Sequence, residues 1–402
     1  MSTPAPAART AGLDDPVMRT FQSVLGRPGI MSFGAGFMNP AGFDVAGVRA
    51  AFAAALSDEE APMTLQYGLA EGSARLRAAI VDRMSAIEVP AQPEEIVVTT
   101  GATQALDVLC NALLDPGDVV LVERPTYVMP LQRFVLAQAR VVSVPGDEDG
   151  LDPLALEAAV LKYRPKVIYT IPTFQNPGGT TLTAERRAAV AQIAKRHGIW
   201  VIEDDPYREL RYVEEPPPAP IARHSRDNVI YIGTLAKTVA PGLRVGWVVA
   251  PAEIVELCKP VKQAMDWNTS TVDQAAAANY LEGVDWVRRT AELRAVYAAP
   301  MRAMLDRLGD VLAHGSTFTR PRGGVFVWVE LPEGWSTRAL LDHAVEHGIF
   351  FMPGAAFLAD VEDDRALRLS ISNHTPETIA EGLGRLAQGI AASPQRAGAV
   401  AQ

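Results

Sequence analysis

Apolar and polar positions alternate in blocks through the middle of the chain. Runs rich in Val and Ile occupy residues 96–100, 119–122, 141–144, 167–171, 200–203, 229–232 and 245–250. Between them, residues 102–114, 127–137, 155–161 and 183–196 carry apolar side chains at helical spacing. Short strands with no polar face, separated by helices, predict a mainly parallel sheet of the seven-stranded type, sandwiched by helices in an α/β layer fold.

From about Thr271 the pattern changes. A long helical stretch at 284–307 precedes strands near 325–331 and 366–371, with helices at 337–347 and 376–391. These predict a smaller α+β domain. The reading divides the chain into an N-terminal segment (1–56) packing on the small domain, a large domain (57–283) and the small domain (284–392). The Ala/Gly/Gln-rich tail (393–402) reads as disordered.

Composition narrows the possibilities. At 402 residues and 48% hydrophobic, the chain can bury a large core in more than one domain. A net charge of −10 argues against generic binding to nucleic acid. Cys110 and Cys258 sit in apolar helical patterns and suggest neither a disulfide framework nor a metal site. Residues 1–15 lack the pattern of a signal peptide, and no apolar stretch reaches membrane length. The expectation is a cytoplasmic protein without a membrane partner.

Candidate chemistry gathers at the strand ends. Lys237 follows the run at 228–233, and a Gly/Pro-rich loop brings Arg244 seven residues later. An amine desolvated among small residues becomes a nucleophile able to form a Schiff base, and a fixed guanidinium suits a phosphate dianion. Together they meet the needs of pyridoxal phosphate. An isolated lysine in such a place reads as a solvated surface residue, so the other strand ends carry the decision. Gly101-Ala102-Thr103 opens a helix whose free N–H groups favour an anion, though Thr103 also reads as a plain helix cap. Asp204, in Glu203-Asp204-Asp205-Pro206-Tyr207, stands where a carboxylate can keep a pyridinium nitrogen protonated; Tyr207 can reach the phenolic oxygen. Exposed loop acids are the alternative. Asn176 precedes Pro177 and is held out of the helical region, as in any Asn-Pro turn. Tyr127 can stack on a planar ring or pack in the core.

The order of these features resembles the class I/II aminotransferases of pyridoxal phosphate fold type I. The resemblance is to the branch holding 2-aminoadipate and kynurenine aminotransferases and the catalytic half of MocR-type regulators. It runs from about Pro16 to Gly389. It is also carried by Ile30-Met31-Ser32-Phe33-Gly34-Ala35-Gly36, Leu65-Gln66-Tyr67-Gly68, Gly323-Gly324-Val325-Phe326-Val327-Trp328, Pro353-Gly354-Ala355-Ala356-Phe357 and Leu367-Arg368-Leu369-Ser370.

The resemblance implies a transaminase that moves an amino group between an α-amino acid and a 2-oxo acid by a ping-pong mechanism. Lys237 would form the internal aldimine and shuttle the proton, Asp204 would pair with the pyridine nitrogen, and Asn176 and Tyr207 would bond the phenolic oxygen. Tyr127 would stack on the ring. Ala102, Thr103, Thr234 and Arg244 would hold the phosphate, with Tyr67 supplied by the other subunit of a homodimer. Arg368 would grip the substrate carboxylate, and Gly36 would line the substrate site. Arg19 matches an arginine that some relatives turn onto a distal carboxylate, and also reads as a plain surface arginine of a helix; Asp14 and Asp15 before it would favour a basic side chain instead. Ala236 stands where relatives often carry a serine, and Phe37-Met38-Asn39-Pro40 departs from the common pattern in the segment that covers the substrate. The alternative within the same fold is elimination, cyclisation or oxidation of an amino acid. A regulator is disfavoured by the early start of the pattern and by the charge.

Overall fold

The computed structural model describes residues 5, 7–13, 16–24 and 26–393. The expectations for Asp14, Asp15 and residues 394–402 lie outside these. The large sheet is built from β1 (Ile96–Thr99), β2 (Val119–Arg124), β3 (Arg140–Asp147), β4 (Gly150–Leu151), β5 (Val167–Thr170), β6 (Trp200–Asp204), β7 (Val229–Thr234) and β8 (Gly246–Val249). Their spatial order is β1-β8-β7-β6-β5-β2-β3-β4. The five strands from β7 to β3 run parallel. β8 runs against both its neighbours, and the short β4 folds back on β3 as an eighth strand that the apolar pattern did not announce.

The absence of a polar face in these runs has a direct structural counterpart. Residues of β1, β5 and β7 are buried throughout. Because successive side chains point to opposite faces, each strand feeds two cores. On β7, Ile230 and Ile232 enter one and Val229 and Tyr231 the other. On β6, Ile202 enters the first and Val201 the second. The first core is continuous with that of the C-terminal part, through Leu293, Phe326 and Leu367.

The C-terminal part holds a small antiparallel sheet of β9 (Thr317–Phe318), β10 (Phe326–Glu330), β11 (Met352–Pro353) and β12 (Ala366–Ser370), in the order β9-β10-β12-β11. Helix α1 (Ala102–Leu113) succeeds β1 in the large sheet, and the long helix α2 (Trp286–Val311) leads into the small one.

The N-terminal segment contributes to both parts. Met31–Ser32 pairs in parallel with Ile349–Phe350, beside the small sheet. Val45–Ala55 forms a helix that packs against Thr271–Gly283 instead. It starts at Asp44, whose side chain accepts a hydrogen bond from the Gly47 N–H at 2.8 Å, satisfying one of the donors a helix start leaves open.

Candidate active site

The alternation along β6 and the residue just beyond it sorts three neighbouring acids. Glu203 points into the second core, where Oε1 and Oε2 accept the Ile221 and Ala222 N–H groups at 2.8 and 2.9 Å and the buried Arg187 stands 3.6 Å away. Asp205 is tied to Arg208 at 2.6 Å. Asp204 takes the other face, on the side of Ile202. None of the three is an exposed loop acid.

Asp204 accepts one hydrogen bond on Oδ2, from the Tyr169 hydroxyl at 2.8 Å, while its buried Oδ1 has no partner. A hydrogen bond to a charged group contributes about 1.5–3 kcal/mol. Desolvating a carboxylate costs roughly several kcal/mol. Burial therefore wins, and the Asp204 carboxyl is pushed up to about 7.

Lys237 lies three residues beyond β7 and is part-buried. Its Nζ donates to the Gly36 carbonyl at 3.1 Å and stands 5.9 Å from the centre of the Tyr207 ring. Burial, with Arg368 and Arg244 nearby, pulls the amine down to about 8. At neutral to slightly alkaline pH a useful fraction is neutral, the form that attacks a carbonyl carbon.

Arg368 sits mid-strand on β12, opposite Trp328 on β10. Its Nη1 donates to Asn176 Oδ1 at 2.8 Å and its Nη2 to the Gly34 carbonyl at 2.6 Å, leaving the buried Nε unpartnered. The guanidinium lies between Phe326 and Phe357, 4.1 and 4.7 Å from their ring centres. Among the described residues no carboxylate pairs with it. Burial draws its pKa down to about 10, opposed by Tyr207 and Tyr127. Tyr207 is buried against Phe326, beside the Asn176 side chain. Burial also raises the Tyr127 hydroxyl, which feels both Arg368 and Asp204.

At the start of α1, Gly101 adopts φ 81°, a conformation open to glycine, and an added Cβ would lie 2.6 Å from Arg244 Nη2. No side chain caps this helix, and among the described residues the Ala102 and Thr103 N–H groups have no acceptor. The exposed Arg244 reaches the same turn, donating to the Thr100 carbonyl at 3.3 Å. The Thr234 hydroxyl is engaged within the chain, donating to the Val245 carbonyl and accepting from the Ala236 N–H, both at 3.1 Å.

One extended segment joins these groups. The Phe33 carbonyl accepts from Ser370 N–H, Gly34 from Arg368, Ala35 from the Ser372 hydroxyl and Gly36 from Lys237. The structure thus brings Lys237, Asp204, Tyr207, Asn176, Tyr127, Arg368 and Gly36 into one cluster, with Ala102, Thr103 and Arg244 gathered at one turn. Tyr67 stands outside, 82% exposed. Arg19 is exposed on the helix Pro16–Val24.

Sequence reasoning passed over several supporting residues. Tyr169 lay inside an apolar run; its signal was its place on the strand beside β6, opposite Ile202 and on the face of Asp204. Beneath the phosphate-type turn, Gln104 Oε1 accepts from the Thr100 N–H at 2.7 Å and from the fully buried Lys262 at 3.1 Å. Asp266 completes that group, 2.8 Å from Lys262.

Comparison with known proteins gives a consistent result. The family model described as aminotransferase class I and II matches residues 29–386. A 2-aminoadipate transaminase of Thermus thermophilus is 38% identical over 368 residues, 90% of this chain and 91% of its own length. Aromatic-amino-acid aminotransferase 1 of Thermococcus litoralis is 36% identical over 339 residues, 83% of this chain and 81% of its own. Among solved structures, the multiple substrate aminotransferase of Thermococcus profundus superposes with a TM-score of 0.91 at 32% identity, covering 96% of this chain and 97% of that one.

Proposed function

The chain belongs to the class I and II aminotransferases, and from that membership we propose how its cleft holds pyridoxal phosphate and moves an amino group between an α-amino acid and a 2-oxo acid. The observation that carries the reading is a pair of sequestered cations without acid partners. Among the described residues Lys237 and Arg368 are held by neutral oxygens of Gly36, Gly34 and Asn176, and Asp204 keeps an idle carboxylate oxygen. Unpaired buried charge costs stability, so its retention favours a ligand that supplies the missing partners.

The residues fit the cofactor. Asp204 Oδ1 would accept from the protonated pyridine nitrogen, and Tyr207 and Asn176 would bond the phenolic oxygen. Tyr127 would lie against the ring. The free N–H groups of Ala102 and Thr103, with Arg244, would hold the phosphate; Thr234 would do so only by redirecting its hydroxyl. When bound, pyridoxal phosphate supplies an aldehyde for amino groups and a ring that takes up the electron pair left at Cα.

The remaining steps belong to the protein. Arg368 orients the substrate carboxylate, with Nε free to join a bidentate contact. This fixes the Cα–H bond relative to Lys237. With the cofactor bound, the Lys237 Nζ would take the Cα proton and return it at C4′, a transfer that contributes about 10²–10⁴-fold. Phe326 and Phe357 exclude water from the guanidinium. The named relatives act on aromatic amino acids and on 2-aminoadipate, which share only the α-amino carboxylate. Arg368 meets that common part.

A single half-reaction tests the proposal. Mixing the cofactor-loaded protein with an amino acid, without acceptor, is expected to convert bound cofactor to its amine form and release one 2-oxo acid per site. Release of ammonia instead, or continued turnover without an acceptor, would point to elimination or oxidation and defeat it.

We further propose a homodimer in which Tyr67 reaches the partner's site. Tyr67 lies among the exposed Met63, Leu65 and Leu69, and the neighbouring Gly68 N–H donates to Asn268 beside the exposed Trp267. A row of exposed apolar side chains is what an interface buries. Sedimentation at assay concentration is expected to give a dimer; a fully active monomer is the contrary result. Among the described residues no helix is long and apolar enough to cross a membrane. The free, buried Cys110 and Cys258 suit a reducing compartment, and cell fractionation is expected to find the protein in the cytoplasm.

A further inference from the structure

Arg289, on the first turns of α2, is only 4% exposed although it carries a full charge. Its Nε and Nη2 donate to the Thr238 carbonyl at 3.0 and 2.9 Å, and Nη2 also donates to the Gly42 carbonyl. Thr238 is the residue after Lys237. Gly42 closes the segment that begins at Gly36, the acceptor of the Lys237 amine. One guanidinium therefore bridges the backbone on both sides of that amine contact.

The same helix face holds the segment a second time. Two turns on, the Tyr297 hydroxyl accepts the Asn39 N–H at 3.1 Å. The start of α2 is itself anchored to the large sheet's half of the molecule. The Arg83 guanidinium lies 3.9 Å from the Trp286 ring centre, and the Thr290 hydroxyl donates to Glu209 at 3.1 Å. Around Arg289, Glu292 stands 3.2 Å from Nη1 and is half exposed; Tyr280, bonded to Asp44, also faces it. Neither acid draws the guanidinium away from the two carbonyls. A planar, multidentate donor can span two acceptors at a fixed separation, which a flexible ammonium cannot.

We propose that Arg289 is a positioning residue that locks the Lys237 turn to the segment 36–42, holding the amine in line with the Cα proton it must move. The inference rests on Lys237 being the cofactor-bearing residue.

The test compares full-length, cofactor-loaded wild type with Arg289→Met and Arg289→Lys. A misplacement of about 1 Å can cost about 100-fold in rate. Arg289→Met is therefore expected to lower kcat about 100-fold, while KM for the amino donor stays within about threefold. The pH midpoint of the bound cofactor's absorbance change is expected to move by about 0.5 unit or more, reporting an altered setting of Lys237. The groups facing Lys237 directly, Arg368, Arg244 and Tyr207, are unchanged in these variants. Arg289→Lys, able to reach one carbonyl, is expected to recover about tenfold of the lost kcat.

A lower melting temperature with wild-type kcat, KM and absorbance midpoint would reduce Arg289 to a structural role and overturn the proposal. A rise in KM alone would do the same. Should Arg289→Met fail to fold, Arg289→Lys decides: a kcat lowered about tenfold with a moved midpoint supports the lock, and wild-type values for both refute it. Lys237→Ala keeps the two ideas apart. If its cofactor spectrum and pH response match wild type, the reading of Lys237 fails; if they are lost while the Arg289 variants behave as wild type, only the Arg289 lock fails.

Discussion

Replacing Lys237 with alanine is expected to lower transamination by about 10⁴-fold, the upper end of what a positioned acid–base group contributes. The loss falls on kcat, because the other contacts remain in place. Asp204 still offers Oδ1, and the start of α1 with Arg244 still offers donors for a phosphate. The variant is thus expected to retain pyridoxal phosphate by absorbance and mass while losing the covalent link. Turnover within about tenfold of wild type would remove Lys237 from the mechanism. A small deficit would mean that another base works, and among the described residues no other lysine shares this cleft.

The second large effect is expected at Asp204, and it has opposite signs with and without cofactor. Asparagine keeps the shape of the side chain but cannot carry the charge that keeps a pyridine nitrogen protonated. Asp204→Asn is therefore expected to lower kcat/KM by about 10²–10³-fold, the scale seen when a preorganised electrostatic partner is removed. In the cofactor-free protein the balance differs. Burial raises the carboxyl to about 7 from an ordinary 3.8. The folded state then holds its proton more tightly than the unfolded state, so the contribution of Asp204 to stability is lost as pH climbs from about 4 through about 7. The cofactor-free Asp204→Asn protein is expected to unfold at the same or a higher temperature than wild type at pH 8, and the cofactor-loaded one at a lower temperature. Thermal melts of all four forms read this directly. An Asp204→Asn protein less stable in both states would show that the carboxylate is held by the fold rather than for a ligand.

The residues proposed for the chemistry on the large sheet were legible because they sit at or just beyond strand ends. Lys237 follows β7, Asp204 ends β6 and Asn176 lies just beyond β5, and each end is marked by a switch from apolar to polar or turn-forming residues. Even the choice among Glu203, Asp204 and Asp205 is contained in the period-two pleat, once Ile202 is assigned a face. The supporting residues were not legible, for a physical reason. Tyr169 meets Asp204 across 35 positions and Arg289 meets Thr238 across 51, and neither pairing leaves a local pattern. Both look like ordinary members of a strand and a helix.

Alanine-rich stretches were lost for a different reason. Val45–Ala55 and Thr271–Gly283 carry small apolar residues on most faces, so hydrophobic contrast around the helix is weak. Their helicity rests on alanine's low entropic cost and on the Asp44 and Ser270 caps. The edge strand β4 was missed because its two residues are too few for any period.

The extended segment at 33–36 has one more consequence. Its carbonyls already occupy Nη2 of Arg368 and the amine of Lys237, so the resting chain mimics its own guests. If Arg368 takes the substrate carboxylate as proposed, that carboxylate would compete with the Gly34 carbonyl already bonded to the guanidinium. Net affinity would then be the difference between two similar sets of hydrogen bonds. A site made this way would trade tight binding for quick exchange, which suits an enzyme that must release one acid before admitting the next.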